Sequence, residues 1–361
     1  MTTPLLAAFD QQVRWCQQAA APFSARALAG AARWLASDSE SHDTIAAAAE
    51  DPLAGAVALR FLSGLHLLAL QGQRPWSALW PPADNLAEGD EGDESLRIAA
   101  SHAWHFRGDL MRRALANAPQ TNEVQRSAAL LPGLLHVAQQ LRLPLALVEI
   151  GASAGLNLFA DQYRLETAGW AWGRDDAALT LRPEWRGAVP QGLADTPLSI
   201  DYRAACDLQP VDLSVDGEDL RLASYIWAEQ RERLERLRAA VGIARTQMAA
   251  QGVKVQAAKA AQFLRQQLTL RLPGQALVLM HSVMWQYLPE AEKAAVTMLM
   301  EAAGSASTPD TPLAWLRFEP PKPDVQMELR CRIWRGGAAG AEDRLLARCH
   351  PHGAWVEWVG G

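Results

Sequence analysis

The run LVEIGASAGLNL, residues 147–158, brings Glu149, Gly151, Ser153, Gly155 and Asn157 together behind an apolar stretch. Its centre, GASAG, fits G-x-S-x-G, the sharp strand-to-helix turn that exposes a serine nucleophile. In that reading Ser153 attacks a carbonyl carbon, His281, His350 or His352 takes its proton, and a later Asp or Glu orients the histidine. The same order of strand, glycine turn and helix also describes a cofactor loop, in which amides at a helix N-terminus hold an anionic group. A dinucleotide loop requires G-x-G-x-x-G. Here the second and third glycine positions are Ser153 and Leu156, so close backbone approach to a pyrophosphate is lost. Against the serine hydrolase stands context. A nucleophile turn normally lies deep in a sheet, whereas LALVEI at 145–150 is the first strand pattern in the chain, and no H-G-G-type oxyanion segment precedes it.

A third pattern is E-x-G-x-x-x-G, with Glu149 closing the strand, Gly151 and Gly155 bracketing the turn and a helix expected from about Ala154. It resembles the first motif of class I S-adenosylmethionine-dependent methyltransferases. The resemblance implies S-adenosylmethionine as cofactor, with Glu149 at its amino end or water shell. It implies the amides of Ala152 to Gly155, with the Ser153 hydroxyl, at the cofactor's carboxylate, and the Asn157 side chain facing the cleft. Asp207, closing SIDYRAACD, would hold the ribose, since one carboxylate accepts two vicinal hydroxyls well. The third strand, VKVQAAKAA, presents Lys259 where the family often has an acid or polar group facing adenine, a departure that favours a non-catalytic binding protein on the same fold. The fourth, ALVLMHSVMWQYLP, sets His281 and Ser282 where substrate-facing groups would lie. His281 is the candidate catalytic base for an acceptor hydroxyl or amine, with a structural histidine at a strand end as the alternative. Glu319, closing WLRFE, would reach the same cleft, because ligands gather beyond the carboxyl ends of such strands.

TNEVQRSAALLP, EIGASAGLNL, the D-L-x-P-x-D element at 207–212 and HSVMWQYL are, taken together, similar to an uncharacterised bacterial family, the domain of unknown function 2332. The methyltransferase resemblance also implies that the segment before the first strand leans over the cofactor. Thr121, Asn122, Glu123 and Arg126 are therefore substrate-side candidates, with Arg126 able to grip a carboxylate bidentately. Their alternative role is helix N-capping by Thr121 or Asn122 with a Glu–Arg pair at i, i+3. For Glu149 the alternative is a buried acid bonded to amides of its own turn.

These residues need elements to hold them. From residue 5 to about 141 apolar residues recur every three to four positions: Phe9, Val13 and Cys16; Leu28, Ala31, Ala32 and Leu35; Val57, Phe61, Leu65 and Leu68. Helices are expected there, at 95–117, and over about 18 residues ending before Pro144, with a long acidic loop at 75–94. Strand patterns follow at 145–150, 199–207, 253–258, 276–283 and 313–318, alternating with helical patterns at 154–164, 219–241, 259–268 and 289–303. Alternation of this kind predicts an α/β fold with a mostly parallel sheet. ELRCRIW (328–334) and AWVEWV (354–359) predict a closing antiparallel hairpin. The implied organisation is a helical N-terminal region at 1–119 and a Rossmann-like, methyltransferase-type domain at 120–361. An insertion at 166–198, carrying Trp170, Trp172 and Trp185, would serve as a lid or a packing flap.

The chain has 361 residues, 49% of them hydrophobic and 20% charged, which is a folding composition. A net charge of −6 gives no general field toward nucleic acid or anionic lipid, so neither is an expected partner; the methyltransferase resemblance implies a small-molecule or protein acceptor. Cys16, Cys206, Cys331 and Cys349 are scattered without a C-x-x-C pair, as in reduced cytoplasmic proteins. No metal is expected: the acids of 75–94 lack calcium-loop spacing, and neither CHPH (349–352) nor the His102/His105 pair makes a full ligand set. No signal peptide or apolar span is expected either. EQRERLERLR at 229–238 reads as a solvated helix face carrying Glu229–Arg233 and Glu232–Arg236 pairs, with Trp227 on the core side.

Overall fold

The computed structural model describes residues 3–83, 85–116, 118–322, 326–336 and 341–360. They form two compact units, Met1–Thr121 with Val215–Glu235, and Asn122–Ser214 with Arg236–Gly361.

The first unit is helical: α1 (Pro4–Gln18), α2 (Pro22–Ser37), α3 (Ser39–Ala46), α4 (Val57–Leu70), α5 (Trp76–Leu79), α6 (Gly89–Phe106) and α7 (Gly108–Ala116). The chain then supplies α8 (Ser127–Leu141) to the second unit and returns for α9 (Glu218–Ser224). Phe9, Leu28, Leu35, Phe61, Leu65 and Leu68 share one core, as their helical spacing requires. Three expectations change. The helix at 95–117 is two helices broken at Arg107. The acidic loop is shorter, because Gly89 opens α6 and puts Asp90 and Glu91 in its first turn, where acids complement the helix dipole. Residues 219–241 are not one helix: α9 ends at Ser224, Trp227 and Ala228 join this core, and α10 (Arg231–Gln251) begins afterwards. Glu229 accepts the amide and the hydroxyl of Ser24 at 2.7 Å each.

The second unit is mixed α/β. Its strands are β1 (Leu145–Ile150), β2 (Arg164–Glu166), β3 (Ala171–Trp172), β4 (Thr180–Leu181), β5 (Glu184–Arg186), β6 (Ile200–Asp207), β7 (Val255–Ala257), β8 (Ala276–Ser282), β9 (Leu313–Glu319), β10 (Met327–Trp334), β11 (Asp343–Cys349) and β12 (Trp355–Trp358). Its later helices are α11 (Ala260–Thr269) and α12 (Glu290–Ser305). Among the described residues the main sheet runs β5-β12-β11-β10-β9-β8-β1-β6-β7. β7, β6, β1, β8 and β9 are mutually parallel, and β9 to β12 form an antiparallel meander. β1 and β8 are buried along their whole length, which is why both read as unbroken apolar runs.

One face packs on α11 and α12 through Val148, Ile150, Leu277, Leu279, Phe263 and Met300. On the other lies α8, where a side chain on Gly133 would meet Leu316 at 2.8 Å. α12 approaches the sheet still more closely at Gly304, where a Cβ would lie within 3 Å of the Trp334 ring atoms. Gly304→Ala is therefore expected to cost about 1–3 kcal/mol of stability by forced repacking, measured by urea denaturation; an unchanged midpoint would refute that packing.

Two further expectations change here. The closing hairpin is a three-stranded meander, with β11 lying between the two predicted strands. The insertion at 166–198 forms a small sheet, β3-β2-β4, and delivers β5 to the edge beside β12. Trp170 meets Trp185 edge-on at 5.0 Å, Trp185 stacks on Trp358 at 6.1 Å, and Trp172 Nε1 donates to Thr196 O at 3.0 Å. Trp170, Trp185 and Trp358 pack this segment against the β12 edge, while Trp172 ties it to itself. The four cysteines are free and buried, and burial pushes their thiols up. No helix among the described residues is long and apolar enough to cross a membrane.

Candidate active site at the sheet's carboxyl edge

From β1 the chain proceeds to β6 and β7 on one side, while β8 and β9 lie on the other. This is a point where strand order reverses, the place where open α/β sheets bind ligands beyond the carboxyl ends of their strands. Side-chain alternation then sorts the residues. Val148, Ile150, Leu277 and Leu279 face α11 and α12, so Glu149 and Asp207 belong to the α8 side, and His281 and Glu319 to the α11/α12 side.

On the α8 side the loop after β1 alternates its backbone. Gly151, Ser153 and Gly155 have φ of +67°, +54° and +73°, left-handed values that glycine adopts freely and serine seldom does. This alternation precludes the α-helix expected at 154–164. A six-residue 3-10 turn at Asn157–Gln162 stands in its place. The loop amides are taken internally: Ala152 N by Cys206 O (3.0 Å), Ser153 N by Asp207 Oδ2 (2.8 Å), Gly155 N by Ala152 O (2.7 Å) and Leu156 N by Asn122 Oδ1 (2.8 Å). Of the four amides from Ala152 to Gly155, three are thus engaged by protein groups. The glycines are likewise closely covered, since a Cβ at Gly151 would meet Met284 at 2.7 Å and one at Gly155 would meet Met248 at 2.9 Å.

Side chains, by contrast, are left over. Glu149 Oε2, Ser153 Oγ and Asn157 Nδ2 are buried and have no hydrogen-bond partner among the described residues. Such groups are rare in folded proteins because each carries a desolvation cost of about 1–3 kcal/mol. Glu149 is 1% exposed, and burial, reinforced by the negative charge of Asp207, pushes its carboxyl up to about 8. It is not bonded to its own turn, the alternative the sequence left open. Asp207 does play a capping part, because its Oδ1 accepts Gln209 N at 2.9 Å while Oδ2 holds Ser153 N.

Behind the loop, Ser127 Oγ donates to Asn157 Oδ1 at 2.7 Å, a partner the sequence did not single out. Arg203 anchors the 3-10 turn through Asp161 (2.6 Å) and Leu158 O (3.2 Å). Within TNEVQR, neither Thr121 nor Asn122 caps α8. A 3-10 turn at Val124–Arg126 precedes that helix, Glu123 accepts Gln125 N at 3.1 Å, and Asn122 reaches the β1 loop instead. Arg126 Nε donates to Pro351 O at 3.2 Å and so ties to the β11–β12 turn. Thr121 is exposed and closes the first unit.

On the α11/α12 side, His281 Nδ1 lies 2.7 Å from Glu319 Oε1. The same oxygen accepts Met284 N at 3.1 Å and Trp285 N at 3.3 Å. Just before them Val283 sits at φ +52°, an outlying conformation for a β-branched residue, with its amide on Phe318 O at 2.9 Å. This turn lays Trp285 over His281 at 5.1 Å and 16°. His281 Nε2 and Glu319 Oε2 are buried without partners among the described residues. Ser282, also buried, closes β8 opposite Phe318. Sequence reasoning nominated His281 and Glu319 separately but not their contact, and it missed Trp285 as the wall of the imidazole.

The other histidines singled out in the sequence take other positions. His350 Nδ1 accepts His352 N at 3.0 Å in the β11–β12 turn, and burial holds the His350 imidazole below its ordinary value. His102 packs edge-on against Phe106 and His105 lies 3.4 Å from Asp38. Among the described residues no group of three or more His, Cys, Asp or Glu is arranged to hold a metal ion.

No curated protein and no solved structure matches the chain. A bacterial family described as "Uncharacterized protein conserved in bacteria (DUF2332)" matches residues 6–358. That span takes in the helical unit, the β1 loop, the HSVMW turn and the closing meander, and the chain belongs to this uncharacterised bacterial family, DUF2332.

Proposed function

We propose that this protein is a methyltransferase that binds S-adenosylmethionine at the carboxyl ends of β1 and β6 and methylates a hydroxyl- or amine-bearing small molecule or protein side chain. The observation that carries this reading is the set of buried, unpartnered atoms at the strand-order reversal: Glu149 Oε2, Ser153 Oγ and Asn157 Nδ2. They are an acceptor, a hydroxyl and an amide donor, the complement of an amino-acid end bearing an ammonium and a carboxylate. Glu149 would hold the ammonium. Ser153 and Asn157 would hold the carboxylate through their side chains, since the amides of Ala152, Ser153 and Gly155 are engaged. Asp207 keeps lone pairs beyond its two amide bonds for ribose hydroxyls. The cofactor supplies an activated methyl group, and the protein's part is to position the acceptor and exclude water. His281 would take the acceptor's proton.

The hydrolase alternative lacks the contact it needs. Its nucleophile and base would share a hydrogen bond, yet Ser153 Oγ and His281 Nε2 both stand without a partner among the described residues. A non-catalytic binding protein is the second reading, favoured by Lys259, which is the N-cap residue of α11 at the end of β7 and gives adenine no acid.

Calorimetric titration of the full chain with S-adenosylmethionine and S-adenosylhomocysteine tests this proposal. Micromolar binding is expected. In wild type the S-adenosylmethionine heat should vary with buffer ionisation enthalpy near pH 7, because an ammonium drives Glu149 to release its proton. Glu149→Gln should abolish the proton release and weaken binding by about tenfold or more. Absence of binding by the folded wild type would overturn the proposal.

A further inference from the structure

The two nitrogens of His281 stand in different surroundings. Glu319 Oε1 already accepts the amides of Met284 and Trp285, so toward Nδ1 it acts as an acceptor as well. Nδ1 therefore carries the hydrogen, and in the neutral ring the lone pair belongs to Nε2. This assignment follows from two backbone donors whose roles are fixed, not from the histidine alone. Nε2 itself is buried without a partner among the described residues. The ring is wholly buried, between Trp285 at 5.1 Å and Trp315 at 6.1 Å.

Parallel pairing of β8 with β9 makes the contact possible. His281 stands opposite Arg317, and Glu319, two residues further on, returns to the same face just beyond the strand end. A histidine kept for packing alone would leave a buried acceptor unsatisfied at a cost of about 1–3 kcal/mol. Here that cost falls on a ring whose other nitrogen is rigidly held, at the edge where a parallel sheet binds its ligands.

We propose that Glu319 is a positioning residue that fixes His281 in the Nδ1–H tautomer, so that Nε2 is the proton acceptor of the site. The inference deepens the function proposed above and rests on its placing the reaction at this edge. In the step it serves, the acceptor's O–H or N–H bond breaks, the electron pair stays on the acceptor, and the proton bonds to Nε2. The resulting imidazolium is paired with the Glu319 carboxylate.

Long-range proton–nitrogen correlation spectra of the full chain carrying 15N-histidine test this directly. The eight histidines are separated by assigning His281 as the set of signals lost in His281→Asn. Wild type is expected to show a single Nδ1–H tautomer for His281 at neutral pH. Glu319→Gln, whose carbonyl can still accept, should keep it, whereas Glu319→Met should give a mixed or reversed tautomer. An Nε2–H tautomer or a stable imidazolium in the wild type would overturn the proposal, as would an unchanged tautomer in Glu319→Met. The wild-type spectrum decides even if the methionine variant does not fold. No cofactor is present, so a failed S-adenosylmethionine titration and a failed tautomer assignment are separate outcomes.

Discussion

Glu149→Gln is expected to be more stable than the wild type, by a margin that widens by roughly 3 kcal/mol between pH 6 and pH 9. The carboxyl rises from an ordinary 4.5 to about 8 in the folded chain, with burial as the main cause and Asp207 as the second. Between these two values the folded state binds more protons than the unfolded state, so wild-type stability falls as pH rises. The loss begins near pH 4.5, is complete above about pH 8, and leaves an ionised carboxylate buried beyond that point. Glutamine occupies the same volume and does not titrate. Other titrating groups are common to both proteins and cancel in the difference. Urea denaturation of both at pH 5, 7 and 9 measures the effect, and parallel stability profiles would mean that Glu149 is solvated or paired. The same result bears on function, because an acid held neutral by burial ionises when a cation arrives.

Glu319→Ala should be the most damaging single change at the other face, costing about 3–5 kcal/mol. One carboxylate oxygen accepts the His281 ring and two consecutive amides. Removing it strands three donors and leaves Val283, at φ +52°, without the contacts that hold the turn after β8. The loss should be local in its dynamics: hydrogen exchange over 283–288 should accelerate, while the interiors of β1 and β8 stay protected. A loss below about 1 kcal/mol with unchanged exchange would show that the turn is held by other means. Glu319→Gln should fall between alanine and wild type, because a carbonyl oxygen replaces the acceptor but not the charge.

Much of the framework was legible in the sequence because burial leaves a pattern. LALVEI and ALVLMHS lack alternation, as strands covered on both faces must, and the recurrences of Phe9, Leu28 and Phe61 mark helix faces. The chemistry-bearing ends of β1, β6, β8 and β9 follow from the same reading, because a strand's last residue is visible wherever its apolar run stops. The similarity to DUF2332 was also legible, through several motifs in a fixed order, and the family match spans residues 6–358.

What the tertiary structure alone decided are contacts between residues far apart in the chain. Asn122 caps Leu156, Asp207 takes the Ser153 amide, Met284 covers Gly151, and Glu319 grips His281. Each turns a locally reasonable expectation into a different one: a helix start into a 3-10 turn, a loop of open amides into one whose amides at Ala152, Ser153 and Gly155 are engaged, two separate candidates into a dyad. Short strands such as β3 and β4 carry too few residues for any period to show. The composition of a strand reports whether it is covered. Only neighbouring strands and their register decide which side chains meet, because hydrogen bonding and backbone handedness at the β1 and β8 exits depend on partners that sequence spacing does not specify.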